Sequence, residues 1–455
     1  MLDLKKWALP LLSASAVIFL LTRIVIAFIE PSYSFVDDLI YVGSAIHMVL
    51  DQQCAPAAGN LCNYEHPPLA KLLMALGFEI FGRAQVVGNL PGIGINQLGG
   101  RIFQIITASF MAPLTYLIVN RMSGNWRMAS LAGLFVLVDP LFFSLSLTAG
   151  IDVAMVFFAE LALLPYVYGS HLGKLNSFFL TGFVLGLSLL SKETAVFIIL
   201  AIISYNLLLG NGNSRARLLS SAEIIIGTMA VFAVGLQLYD SLLTPFPTFI
   251  NQLETMASFH ASASASQLSY LTGGSNCSQY AGLCPTDKSL VPHFLYSGLP
   301  VAFVQYAACG SCWTGTNPFD WLFYVPPVAF PTALVLAVNY PLVWMTFVWA
   351  PLGAYRWLKG RVDQDLKPVL LSLSIFLWNL ASNLAIFSAL NRAVFEWYIL
   401  PVVPAFAIGG AYLLTRLRTP KWVLYLGAAV VIAVGLLLSP VVYHILYPQP
   451  QYSSG

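Results

Sequence analysis

Apolar residues run along most of the chain in long blocks, and the polar positions collect between them. A membrane-crossing helix needs about 20 predominantly apolar residues. Eleven stretches approach that length, at about 8–29, 102–120, 128–148, 151–168, 177–191, 194–210, 219–240, 329–352, 367–389, 398–415 and 422–440. The pattern predicts an all-α, polytopic membrane protein with about eleven transmembrane helices, the spanning domain occupying 1–440 and a tail 441–455. Gly and Pro inside several stretches are compatible with this, because lipid-embedded helices tolerate both.

Two intervening segments are too long for connectors, at 30–101 and 241–328. The first is expected to hold an amphipathic helix from Asp38 to Leu50 and a Pro-started helix from Pro67 to Phe81. With Lys71 and Glu79 in it, the second is expected to lie along the membrane surface.

Composition strengthens the membrane reading. Of the 455 residues, 58% are apolar and 9% charged, and mean hydropathy is +0.78. Soluble domains carry about 25% charged residues. The net charge of +2 leaves no basic surface for nucleic acid.

The placement of charge is more informative than its sum. With Lys5 and Lys6 inside, alternation puts 14 of the 21 basic residues on that same side, including Arg121, Arg127, Arg215, Arg217, Arg356 and Lys367. The positive-inside rule then predicts a cytoplasmic N-terminus and an outside C-terminus. The first apolar stretch lacks a small-residue cleavage site and reads as an anchor rather than a signal peptide.

All six cysteines, Cys54, Cys62, Cys277, Cys284, Cys309 and Cys312, fall in the loops assigned outside, the last four in the 241–328 loop. An even number on an oxidising side predicts disulfides. Nearest-neighbour pairing, Cys54–Cys62, Cys277–Cys284 and Cys309–Cys312, is the expectation among 15 connectivities, with a metal site as the rival reading. Asn276-Cys277-Ser278 fits a weak glycosylation sequon on the same side.

Ionisable residues at the edge of an apolar bundle are costly and therefore point to function. The outer half concentrates Arg23, Asp37, Asp38, Glu65, His66, Lys71, Arg101, Asp152, Lys192, Glu193, Arg392 and Glu396. Placed at the ends of separate spans, carboxylates and cations would converge on one cavity suited to an anionic, lipid-linked substrate. Taken singly, each also has a structural explanation. Asp38 and Asp152 are plausible helix caps, Lys71 a snorkelling side chain, and Lys192-Glu193 a solvated turn or an internal ion pair. Asp139 and Glu160, deeper in their spans, read as satisfied polar groups.

In chain order these residues resemble the integral-membrane GT-C glycosyltransferases, in particular the protein O-mannosyltransferase family and its aminoarabinose-transferase relatives. Four stretches carry the resemblance: Thr22-Arg23 through Pro31 to Phe35-Val36-Asp37-Asp38; His66-Pro67-Pro68-Leu69-Ala70-Lys71-Leu72 with Phe81-Gly82 and Arg101; Ser191-Lys192 before Thr194; and Arg392 through Tyr398 to Pro401. The usual Asp-Glu of the family is Asp-Asp here, and the soluble insert of eukaryotic members is missing from the 241–328 loop.

The resemblance implies a GT-C fold and an inverting transferase that moves a sugar, mannose or another hexose, from a polyprenyl-phosphate donor to an acceptor hydroxyl outside the cell membrane. Protein Ser or Thr is the expected acceptor; a lipid or glycan acceptor is the close variant. Asp37 would be the general base, and Arg101, Lys192 and Arg392 would hold the leaving phosphate. Arg23, Asp38, His66, Lys71, Asp152 and Glu396 would support the site. No cofactor or metal is expected, although a divalent ion, used by related oligosaccharide transferases, stays open. Expected partners are the lipid-linked sugar, the acceptor and membrane lipids. A transporter or flippase with charges lining a path between inverted repeats, and a silent subunit of an envelope complex, are the readings from other classes.

Overall fold

The computed structural model describes residues 4–29, 36–49, 64–81, 86–87, 90–91, 97–169, 174–244, 246–258, 328–329, 335–336, 338–388, 396–416 and 421–439. The cysteines, the sequon and Arg392 lie outside these residues, as does most of the 241–328 loop.

Helices dominate the described chain. α1 is Leu4–Ile29, α2 Val36–Val49, α3 Leu69–Phe81, α4 Gln97–Ser123, α5 Trp126–Leu137, α6 Pro140–Ser146, α7 Asp152–Tyr168, α8 Lys174–Ser191, α9 Ala195–Leu209 and α10 Ser214–Leu243. After a short helical segment over 249–258 come α11 Tyr340–Leu358, α12 Leu366–Ser388, a 3-10 turn Glu396–Val402, α13 Val403–Arg416 and α14 Lys421–Leu437. Two antiparallel two-residue ladders complete it, β1 Val86–Val87 with β2 Leu90–Pro91, and β3 Val328–Ala329 with β4 Val335–Leu336.

Each of the eleven apolar stretches contains helix, but the helices are not equally able to cross a bilayer. Among the described residues five are long and apolar enough alone: Lys5–Phe28, Leu98–Ser123, Ser214–Leu243, Leu366–Ile386 and Tyr398–Arg416. A sixth would be α5 with α6, whose axes meet at 50°. That break lies inside the expected 128–148 span, where Pro140 starts α6 and Asp139 caps it by accepting the Phe142 N–H at 3.0 Å. A second departure concerns 329–352, where helix begins only at Tyr340, with Pro at its first turn, and β3 and β4 occupy the residues before it.

The bundle is built around α4 and α13, whose apolar windows are 78% and 83% buried; that of α1 is only 22% buried. On α1, Leu11, Ile18, Leu21, Val25 and Phe28 are exposed, making a face for lipid. α4 touches α1, α3, α5 and α7; α8 lies against both α7 and α10. Small residues permit the tightest crossings. A Cβ on Gly77 of α3 would collide with the Gly99 carbonyl of α4, and one on Gly182 of α8 with the Ile224 carbonyl of α10. Without a hydrophobic force between helices in lipid, such backbone approach is a main source of association.

The expected surface helix is shorter and more deeply seated than its sequence suggested. α3 starts at Leu69 and buries Ala70, Lys71, Met74, Ala75, Gly77 and Phe78, leaving Leu76, Glu79, Ile80 and Phe81 outward. With Tyr41, Val42, Ala45 and Ile46 of α2 and Ala149, Ile151 and Ala154 near the start of α7, it forms a separate small core at one end of the bundle. That core positions the candidate site.

Candidate functional site

The site is assembled from helix ends. α7 and α8 run antiparallel, so the start of α7 lies beside the end of α8. Asp152 occupies the first turn of α7, and Lys192 follows the last residue of α8, its N–H donating to the Ser188 carbonyl. An acid at a helix N-terminus and a cation at a C-terminus are each favoured by the helix dipole. Here the two meet, Lys192 Nζ to Asp152 Oδ1 at 2.6 Å, with side chains 4% and 13% exposed. Burial alone would lower the Lys192 pKa, but the charge of Asp152, with Tyr398 and Glu193, outweighs it and holds the ammonium above its ordinary range. The Lys192 ammonium also lies 4.8 Å from the centre of the Tyr398 ring, a cation–π contact. Lys192 is thus a fixed positive charge at neutral pH.

Next to it, His66 Nδ1 and Glu193 Oε2 are 2.8 Å apart, and the Tyr41 ring of α2 meets the imidazole edge-on at 5.8 Å. The prolines after His66 end the loop and open α3, whose Lys71 reaches back to donate to the His66 carbonyl at 2.8 Å. Lys71 is fully buried rather than snorkelling. Burial pushes its pKa down to about 7, against the pull of Glu65 and Glu193. This lysine therefore titrates near neutrality.

The remaining candidates divide by what is described. Arg101 is buried on α4, and Gln104, one turn further on, is buried with neither amide atom hydrogen-bonded among the described residues. Arg23 is buried on α1 with Nη1 donating to Ser109 of α4 at 3.1 Å and its guanidinium 4.7 Å from the Phe143 ring centre. Asp37 and Asp38 fall in the first turn of α2, one turn before Tyr41, and Glu396 opens the 3-10 turn two residues before Tyr398. The side chains of these three lie outside the described residues, as does Arg392 entirely.

The structure brings His66, Lys71, Asp152, Lys192 and Glu193 into one cluster and places Arg23 elsewhere, in the α1–α4 contact with Ser109. Asp139 and Glu160 are occupied, Asp139 as a cap and Glu160 accepting from Thr115 at 3.0 Å beside a cavity of about 20 Å³. Sequence reasoning missed Gln104, whose spacing of three from Arg101 was the available signal. It also missed a polar knot around buried Asp240, which accepts from Thr244 at 3.0 Å and, with the amide turned to donate, from Gln252 at 2.6 Å. Tyr64, two residues before His66, packs on Phe246 beside this knot, ring centres 4.9 Å apart, and tethers the first loop to the end of α10. Among the described residues no group of three or more His, Cys, Asp or Glu could hold a metal ion.

Residues 59–239 match the family model described as dolichyl-phosphate-mannose-protein mannosyltransferase. That stretch contains the whole described cluster except Tyr41 and Tyr398. The chain's fold is similar to that of the protein O-mannosyltransferase Pmt1-Pmt2 complex of S. cerevisiae (TM-score 0.64, 12% identity, 100% of this chain and 93% of that one). It is also similar to ArnT from Cupriavidus metallidurans (TM-score 0.53, 17% identity, 97% of this chain and 66% of that one). The chain has the GT-C fold of these two proteins. An uncharacterized protein of Aquifex aeolicus (strain VF5) is 27% identical over 208 residues, 45% of this GT-C chain and 37% of the relative. The chain therefore matches little more than a third of that relative's length.

Proposed function

We propose that this GT-C protein is a polyprenyl-phosphate-dependent glycosyltransferase, moving a hexose such as mannose to a protein Ser or Thr hydroxyl on the extracytoplasmic side of the cell membrane. The observation that carries the reading is the convergence of Lys71, His66 and Lys192 beside the start of α7, with the first turn of α2 leading into the same small core. Support also comes from what the similar structures hold, undecaprenyl phosphate in ArnT and the sugar donor in the Pmt1-Pmt2 complex.

In this reading Asp37 takes the proton of the acceptor hydroxyl as its oxygen attacks the anomeric carbon from the face opposite the phosphate. The carbon–oxygen bond to phosphate breaks, and the electron pair leaves on the lipid phosphate, with inversion. A phosphate is a good leaving group, so no second carboxylic acid is required, unlike glycoside hydrolysis. The leaving group does require positive charge, and Lys192, Arg101 and Arg392 supply it. Asp152 keeps Lys192 protonated and in place, while the His66–Glu193 pair and Lys71 fix the loop that borders the donor. Arg23, from its seat against Ser109, ties α1 to α4. Asp38 and Glu396 remain supporting residues.

Incubation of the purified protein in lipid with polyprenyl-phosphate mannose and a Ser/Thr peptide tests this, read by mass. A hexose added to the peptide is expected. Donor hydrolysis or flux across vesicles without a glycosylated acceptor would contradict the assignment, as would full transfer by Asp37→Asn.

A further inference from the structure

Gln104 stands out among the buried polar side chains of the bundle. It lies on α4 with none of its surface exposed, and neither its amide oxygen nor its amide nitrogen is hydrogen-bonded among the described residues. A buried amide left unpaired is costly to the fold, and an apolar side chain of similar size would avoid that cost. Hydroxyls close by do not serve it, since Thr107 donates to the Phe103 carbonyl at 2.7 Å and Thr148 to the Leu145 carbonyl at 2.8 Å.

Its direction follows from the register of α4 on α7. The two helices run side by side in the same direction, with Thr115 donating to Glu160 at 3.0 Å and Arg121 Nε to the Val167 carbonyl at 3.2 Å. Gln104 precedes Thr115 by eleven residues. Eleven residues make about three turns of α-helix and rise about 16 Å, so Gln104 shares the face that Thr115 turns to α7. Eleven residues before Glu160 lies Ala149, fully buried in the small core formed with α2 and α3. Gln104 is therefore aimed at the turn that opens α7, where Asp152 holds Lys192. Its side chain has several rotatable bonds and no hydrogen bond to break, so the amide can turn toward that pair by a change of rotamer, without moving α4.

We propose that Gln104 recognises the hexose of the lipid-linked donor, an inference that rests on the donor chemistry proposed above. The cations at this pole suit a phosphate. A neutral amide suits a sugar, because it offers two N–H donors and an acceptor to hydroxyls that both donate and accept. A buried group of this kind also discriminates, since a ligand lacking the matching hydroxyl leaves it unpaired and is rejected. The penalty that Gln104 places on the fold is then offset only with the sugar in place, which is stability exchanged for selectivity.

Native mass spectrometry of the full-length protein and of Gln104→Leu, with polyprenyl-phosphate mannose and bare polyprenyl phosphate as probes, tests this together with thermal unfolding of both proteins without lipid. Gln104→Leu should bind the mannose lipid about tenfold or more weakly, the loss of one or two hydrogen bonds, and the bare lipid phosphate within about twofold of the parent. Its melting temperature should equal or exceed the parent's, as an apolar side chain replaces an unpaired amide. Equal weakening of both lipids, unchanged affinity for the mannose lipid, or a lower melting temperature would overturn the assignment. So would a parent protein that binds neither lipid. A parent that binds the mannose lipid through Gln104 yet glycosylates no peptide would overturn the transferase reading alone.

Discussion

The two poles of this bundle use the same residue types under different dielectric conditions. At the site pole Lys192 and Asp152 are almost wholly buried, 4% and 13% exposed. At the far pole Arg356, Asp363 and Arg416 are 25%, 37% and 41% exposed. Water and salt screen the second group, and exposed pairs contribute about 0–1 kcal/mol. Buried pairs behave otherwise: neither partner can be removed without stranding the other in a poor solvent for charge. One pole therefore holds its charge buried and fixed, and the other's mainly orders loops.

The largest consequence of this contrast is expected at Lys192. Lys192→Met should destabilise by about 3–5 kcal/mol, since it leaves Asp152 buried and unpaired. Lys192→Met with Asp152→Asn should recover most of that loss. Thermal unfolding of the variants in one detergent measures both, and a double variant as unstable as the single one would show that a stranded Asp152 charge is not the cause.

Packing beneath the site comes next. Gly77→Ala forces α3 off the Gly99 carbonyl of α4, and overpacking of this kind costs about 1–3 kcal/mol. Because α3 carries Lys71, transfer should fall along with stability, measurable on the same preparation.

Lys71 gives the site pole a pH dependence. Its folded pKa of about 7 lies below the ordinary 10.5. Between those values the unfolded chain binds the extra proton, so this group makes stability rise with pH across the window, by at most about 1.4 kcal/mol per pH unit. Below pH 7 both states are protonated and the dependence ends. Lys71→Met should flatten the slope in unfolding measured from pH 7 to 10. Affinity for a phosphate donor should move oppositely, weakening as pH rises through 7.

The smallest effect belongs to the far pole. Asp363→Asn should change stability by about 1 kcal/mol or less, and less still in high salt. Unfolding in low and high salt checks this, and a loss as large as that of Lys192→Met would erase the distinction between the poles.

Much of the architecture was legible because lipid imposes a simple rule on helices, that long apolar runs carry them. The failures occurred where apolarity was uninformative about geometry. Residues 329–339 are apolar enough to extend α11, yet Tyr340-Pro341 sets its start; Asp139-Pro140 likewise breaks the 128–148 stretch. In the site, the motif around His66 and the Ser191-Lys192 element could be read locally. The Asp152–Lys192 bond could not, because it joins residues 40 apart that meet only when α7 and α8 close as a hairpin.

If Asp37 is the base and the cationic cluster holds the donor, single-turnover transfer by Asp37→Asn in liposomes is the decisive measurement. With polyprenyl-phosphate mannose bound as tightly as by the parent protein, the rate of peptide glycosylation should fall by a factor of about 10² or more. An unchanged rate, or a loss traceable wholly to weaker donor binding, would contradict it.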